Sequence, residues 1–99
     1  DNSMTIAENY RRVQMALMKK KMKMKGKPVI RKTKAGSLPM EIVDFSAKVA
    51  GIEYEIAYKI GFIEAEGNLY MIMDWTLKSL LDRHNREMEE MITSFRTED

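Results

Sequence analysis

Apolar residues recur at intervals of three and four through most of the chain, the spacing that lines one face of an α-helix. The first stripe runs Ile6, Tyr10, Val13, Leu17, widened by Met15, Met18 and Met22. It opens on Thr5-x-x-Glu8, a capping box in which hydroxyl and carboxylate each satisfy a free backbone N–H. The pattern predicts a helix from about Ile6, ended by Gly26 and Pro28, which cannot continue it. Residues 27–36 then read as a basic linker, with Pro28-Val29-Ile30 making at most a short extended piece. Ser37 is a candidate N-cap with Pro39 in the first turn, and Met40, Val43, Ala47 and Ala50 keep helical period until Gly51. Ile52, Ile56, Ala57, Ile60 and Ile63 predict the next helix, to about Glu66, with Gly67-Asn68 as its end. From Asn68 to about Phe95 the residues Met73, Leu77, Leu80, His84, Met88, Met91 and Phe95 hold the same spacing. Arg83–Glu87 and Arg86–Glu90 lie at helical salt-pair distance on other faces. A helix of that length reaches some 40 Å, so a partner is expected on its end: the N-terminal helix or the same helix of a second subunit. The pattern predicts an all-α fold, with a basic N-terminal helix and arm over 1–37. A helical domain follows over 38–99, made of a hairpin (38–66) and a long C-terminal helix (68–95).

A chain of 99 residues, 44% apolar, fits one modest core and leaves little room for an enclosed active-site cavity. Without cysteine it has no disulfide, no zinc-finger spacing and no thiol chemistry, which suits a reducing cytoplasm. No apolar run approaches the roughly 18 residues of a membrane span, and the leading residues lack the apolar core of a signal peptide. The expectation is a cytoplasmic protein with no membrane partner, in the host cytoplasm if phage-encoded. Asp1-Asn2-Ser3, ahead of Met4, carry no weight in it. Ten methionines are read as core filling and interface packing.

Charge changes the picture more than composition does. The net charge of +2 hides a split. Residues 1–37 carry eleven cations (Arg11, Arg12, Lys19, Lys20, Lys21, Lys23, Lys25, Lys27, Arg31, Lys32, Lys34) against Asp1 and Glu8, a net of +9. The remainder carries six basic and thirteen acidic residues, a net of −7. Such asymmetry points to a polyanion-seeking arm on an acidic body, because Lys and Arg clusters gain affinity for phosphates by counterion release. The competing readings are a solvated face that pairs with the acidic half of its own or a second chain and, last, a membrane surface, since Met and Leu interleave with Lys as in an interfacial helix though no Trp or Phe anchors it.

Candidate chemistry adds little. The one histidine, His84, falls on an apolar stripe and is read as a core or interface residue. Neither a His-x-x-x-His pair nor an Asp-rich loop is present, so no metal site is expected. Glu64 and Glu66 point apart on a helix, while Asp74, Asp82, Glu87 and Glu90 read as solvated charges. The glycines form no phosphate loop. No catalytic residue, cofactor or enzymatic activity is expected.

Two resemblances bear on the middle of the chain. Ser46–Gly61, with Ala47, Gly51, Ile52, Ala57 and Ile60 at the anchoring positions, resembles the helix-turn-helix of small DNA-binding repressors. It implies that Glu53, Tyr54, Glu55, Tyr58 and Lys59 face the major groove, with the arm gripping the backbone or minor groove. Gly51-Ile52-x-Tyr54-x-x-Ala57, then Phe62-Ile63-Glu64 and a leucine-bearing helix, is similar to the small late-transcription coactivators of tailed phages. That family is mostly helical and binds host RNA polymerase and a sliding clamp, which would put Tyr54, Phe62, Leu77, Leu80 and Leu81 in the polymerase-contacting body. The expected function is transcription-linked regulation through nucleic acid, DNA first, by the eleven cations with Tyr54, Tyr58 and Lys59. The alternatives are an adaptor for RNA polymerase or another protein, or an assembly subunit. The expected partner face is Phe62, Leu77, Leu80, Leu81, Met88 and Met91, with a homodimer through the long C-terminal helix.

Overall fold

In the computed structural model, which describes residues 4–97, the chain is a four-stranded antiparallel sheet with one helix on each face. The leader Asp1–Ser3 lies outside the described residues. In chain order the elements are α1 (Ile6–Lys21), β1 (Met22–Ala35), β2 (Leu38–Val49), β3 (Ile56–Ala65), β4 (Asn68–Leu77), a single 3-10 turn (Lys78–Leu80) and α2 (Leu81–Thr93). Sheet order follows chain order, so the two edges are β1 and β4. This overturns the all-α expectation: the arm is β1, the helical hairpin is β2 and β3, and the first ten residues of the long helix are β4.

α1 starts where the sequence places it, with Thr5 Oγ1 accepting from the Glu8 N–H at 3.0 Å. It ends earlier than expected, because Met22-Lys23-Met24-Lys25 alternates with period two and continues as strand. That period sends Met22 and Met24 under α1 while Lys23 and Lys25 stay exposed.

β2 and β3 are buried on both faces, which explains the misread periodicity. Val43, Phe45, Ala47, Ile60 and Phe62 pack with Met15 and Met18 of α1; Met40, Ile42 and Ile63 pack on the other face with Ile92 of α2. A strand covered on both sides is apolar at nearly every position, so a helical subset such as Met40, Val43, Ala47 can always be drawn through it. The residues are β-branched and aromatic, which suits a pleated strand. Two-residue loops close the β1–β2 and β3–β4 hairpins, whereas β2 and β3 are joined by a six-residue loop, 50–55. In the β3–β4 loop, Glu66 and Gly67 both have positive φ, as a type I′ turn requires.

Gly61 of β3 sets how closely α2 can approach. A Cβ there would stand 2.6 Å from Ile92 Cγ2 and 3.0 Å from Met40 Sδ. Ile92 is fully buried and β-branched, so it cannot swing aside. Gly61→Ala is therefore expected to lower the unfolding free energy by about 2 kcal/mol, the usual cost of overpacking, measured by urea titration. The loss should shrink in the Ile92→Ala background, where the clash is gone.

Candidate nucleic-acid interface

From Asn9 to Met40 the chain contains no acidic residue. Folding lays this stretch out as the body of α1 followed by the whole of edge strand β1. Nine of the eleven predicted cations are exposed: Arg12, Lys19, Lys20, Lys21, Lys23, Lys25, Lys27, Lys32 and Lys34. Lys19, Lys20 and Lys21 form the last turn of α1, where cations also complement the helix dipole. In β1 the register shifts between Lys25 and Val29, a bulge that contains Gly26, Lys27 and Pro28 and loosens pairing with β2.

Between α1 and this bulge runs a groove of about 500 Å³. Arg11, Arg12, Lys19 and Lys27 contribute its cationic walls, and Met15, Ala16, Pro28, Ile30 and Val43 its apolar floor. The floor contains no aromatic ring, so phosphates and sugars can lie along it while bases find nothing to stack on. Tyr54, exposed in the loop after β2, stands at the end of the sheet where α1 passes into β1, since Met22 pairs with Val49.

The other two arginines are tied to acids within the fold. Arg11 Nε donates to Glu41 at 3.1 Å at the margin of the groove. Arg31 forms a forked pair with Glu89 (2.9 and 3.2 Å) and also donates to Asp44 at 3.0 Å. Lys59, predicted to face DNA, is the most buried cation described, its side chain 3% exposed; it donates to Asp44 and lies 3.0 Å from Glu89. Arg31 holds the Glu89 carboxyl below the usual carboxylate range, and the two acids push the Arg31 guanidinium higher still. These four residues join β1, β2, β3 and α2 across one face of the sheet, and the acids that meet the cations lie far away in sequence.

The remaining predicted site residues are dispersed. Tyr58 is half-buried on β3, stacked on Phe45 with ring centroids 5.0 Å apart, and burial raises its phenol. Phe62 is fully buried against Tyr10, and Met88 is on the buried side of α2. Leu77 ends β4, Leu80 is in the 3-10 turn, Leu81 begins α2 and Met91 is exposed on it. They share no single face. His84 is half-exposed beside Asp74 and Glu87, in a shallow cavity also lined by Trp75. Among the described residues no group of three or more His, Cys, Asp or Glu gathers closely enough to hold a metal ion, and no helix is long and apolar enough to cross a membrane.

The exposed aromatic missed by the sequence reading is Trp75, 59% exposed on β4. Its period-two relation to Met71 and Met73 was the signal available. Comparison with protein-family models, curated proteins and solved structures gives no match to this chain, so the reading rests on its own residues.

Proposed function

We propose that the protein binds nucleic acid, duplex DNA foremost, by its phosphate backbone along the surface formed by α1 and β1. One observation carries the reading: nine exposed cations on two adjoining elements with no acid among them in the sequence. Cations spread over a helix turn and a strand edge meet phosphates by charge density and do not need a matched base sequence. The apolar floor of the groove, free of aromatic rings, supports the same conclusion. The helix-turn-helix mode of base reading is set aside, since Ser46–Gly61 is strand, loop and strand. The protein is a binder rather than an enzyme, acts in the cytoplasm, and suits a transcription-linked or packaging role in which sequence choice is supplied elsewhere.

The test is a fluorescence-anisotropy titration of a labelled mixed-sequence duplex at two salt concentrations. Were six phosphates contacted, affinity should fall roughly 10³-fold between about 50 and 200 mM salt, and different sequences should bind alike. Absence of binding at both concentrations would overturn the reading and turn the basic surface toward an acidic protein partner.

A further inference from the structure

Half of one sheet face is bare. α1 packs its Met15 and Met18 side over β2 and β3, and its Arg12–Ala16–Lys19 flank borders β1. Its opposite flank carries Ile6, Tyr10, Val13 and Leu17. Tyr10 meets Phe62 edge-on, and the register partner of Phe62 on the next strand is Met71, so this flank looks toward β4. There Met71, Met73 and Trp75 stand on the α1 face, opposite Phe62, Ile60 and Tyr58, and all three are exposed, as are Ile6, Val13 and Leu17. A helix about 10 Å wide covers two strands spaced about 4.8 Å apart and not four, so a single helix leaves this side of the sheet unfinished.

We infer that this face is closed by the same face of a second copy, the exposed flank of each α1 lying over the β4 row of the other. The two patches match in chemistry and in length. Neither row contains a charge. Ile6 to Leu17 extends about 17 Å along the helix and Leu69 to Trp75 about 20 Å along the strand. What the bare strands lack is a neutral apolar helix flank of that length, and the chain itself exposes one. A two-fold axis satisfies both patches in a single self-complementary contact. It also keeps most of the two basic surfaces apart, because Arg12 and Lys19 lie on the other flank of α1 and β1 is the far edge of the sheet, while Lys20 and Lys21 follow Leu17 at the end of the apolar flank.

β4 also differs from the opposite edge as a strand. β1 carries the devices that discourage pairing: lysines, Pro28 and a bulge. β4 has one charge, Asp74, which accepts from the Trp75 N–H at 2.8 Å, and it has no proline. β4 thus lacks the edge devices of β1, and edge-to-edge pairing of β4 strands is the arrangement to be told apart from the face-to-face one.

Trp75 is the only tryptophan and reports on the contact directly. Sedimentation of the whole protein should give a mass twice 11.6 kDa, and Trp75 emission should move to the blue as concentration rises through the dimerisation range. Val13→Glu changes an exposed position on a different element. It should return the mass to 11.6 kDa and Trp75 emission to the red, with the circular dichroism of the wild type. Met73→Lys should do the same. A wild-type protein that remains monomeric at several hundred micromolar would overturn the inference and assign the face to a foreign helix or a lipid surface. A folded Val13→Glu that stays dimeric would also overturn it, pointing to edge-to-edge pairing of β4 strands.

Discussion

Replacing Lys20, Lys21 and Lys23 together by Glu is expected to weaken duplex binding by several hundred-fold or more at about 0.1 M salt, because each lost phosphate contact removes about 0.9 of a decade there. The same counting lowers the slope of log affinity against log salt by about 2.7, and that change separates lost contacts from a damaged fold. All three side chains are exposed and none has a partner among the ion pairs described, so their loss disturbs no internal contact. The helix dipole is the one structural cost, since Lys20 and Lys21 sit in the last turn of α1, where anions destabilise by roughly 0.3–1 kcal/mol each. Circular dichroism and a urea midpoint measure that cost independently. Arg86→Glu is the control for net charge: among the described residues Arg86 pairs only with its exposed neighbour Glu90, outside the basic surface. It should alter affinity severalfold at most and leave the salt slope unchanged. An unchanged slope in the triple variant would mean that the nucleic acid, if bound, is held elsewhere.

The basic surface was legible as charge and illegible as architecture. Eleven cations in the first third are visible at once, and nine of them are exposed. Arg31 and Lys59 look the same in the sequence, yet Glu89 lies 58 residues beyond Arg31, and nothing local announces that the two meet. The helix start at Thr5 was readable because capping is a contact over three residues. The strands were not read because their core is two-sided: Ile42 and Val43 are both fully buried, one on each face, and such a run has no alternation to detect. Two signals could have decided it. Ile56, Tyr58, Ile60, Phe62 and Ile63 favour strand over helix by shape, and the short Gly-containing breaks at Gly36-Ser37 and Glu66-Gly67 separate apolar runs by the length of a hairpin loop. The Met-Lys alternation from Met22 to Lys25 was a strand period in plain view.

Asp44→Ala is expected to destabilise the protein by about 3 kcal/mol, whereas Lys59→Met should cost less than about 1 kcal/mol, an inversion that follows from where each charge sits. Lys59 is almost wholly enclosed, and among the described residues only Asp44 and Glu89 compensate its ammonium. Taking away Asp44 leaves that cation buried with half of its support and Arg31 with one partner fewer. Glu89 remains and Asp44 is about one-third exposed, which sets the expected loss at the low end for a broken buried pair. Lys59→Met removes the buried charge itself. Both acids keep Arg31, which donates to each, and methionine fills the long apolar slot of the lysine stem. Chemical denaturation of the two variants at neutral pH measures the difference. Equal losses would mean that the network acts through packing alone. A larger loss in Lys59→Met would mean that the ammonium is what binds β2, β3 and α2 into one body.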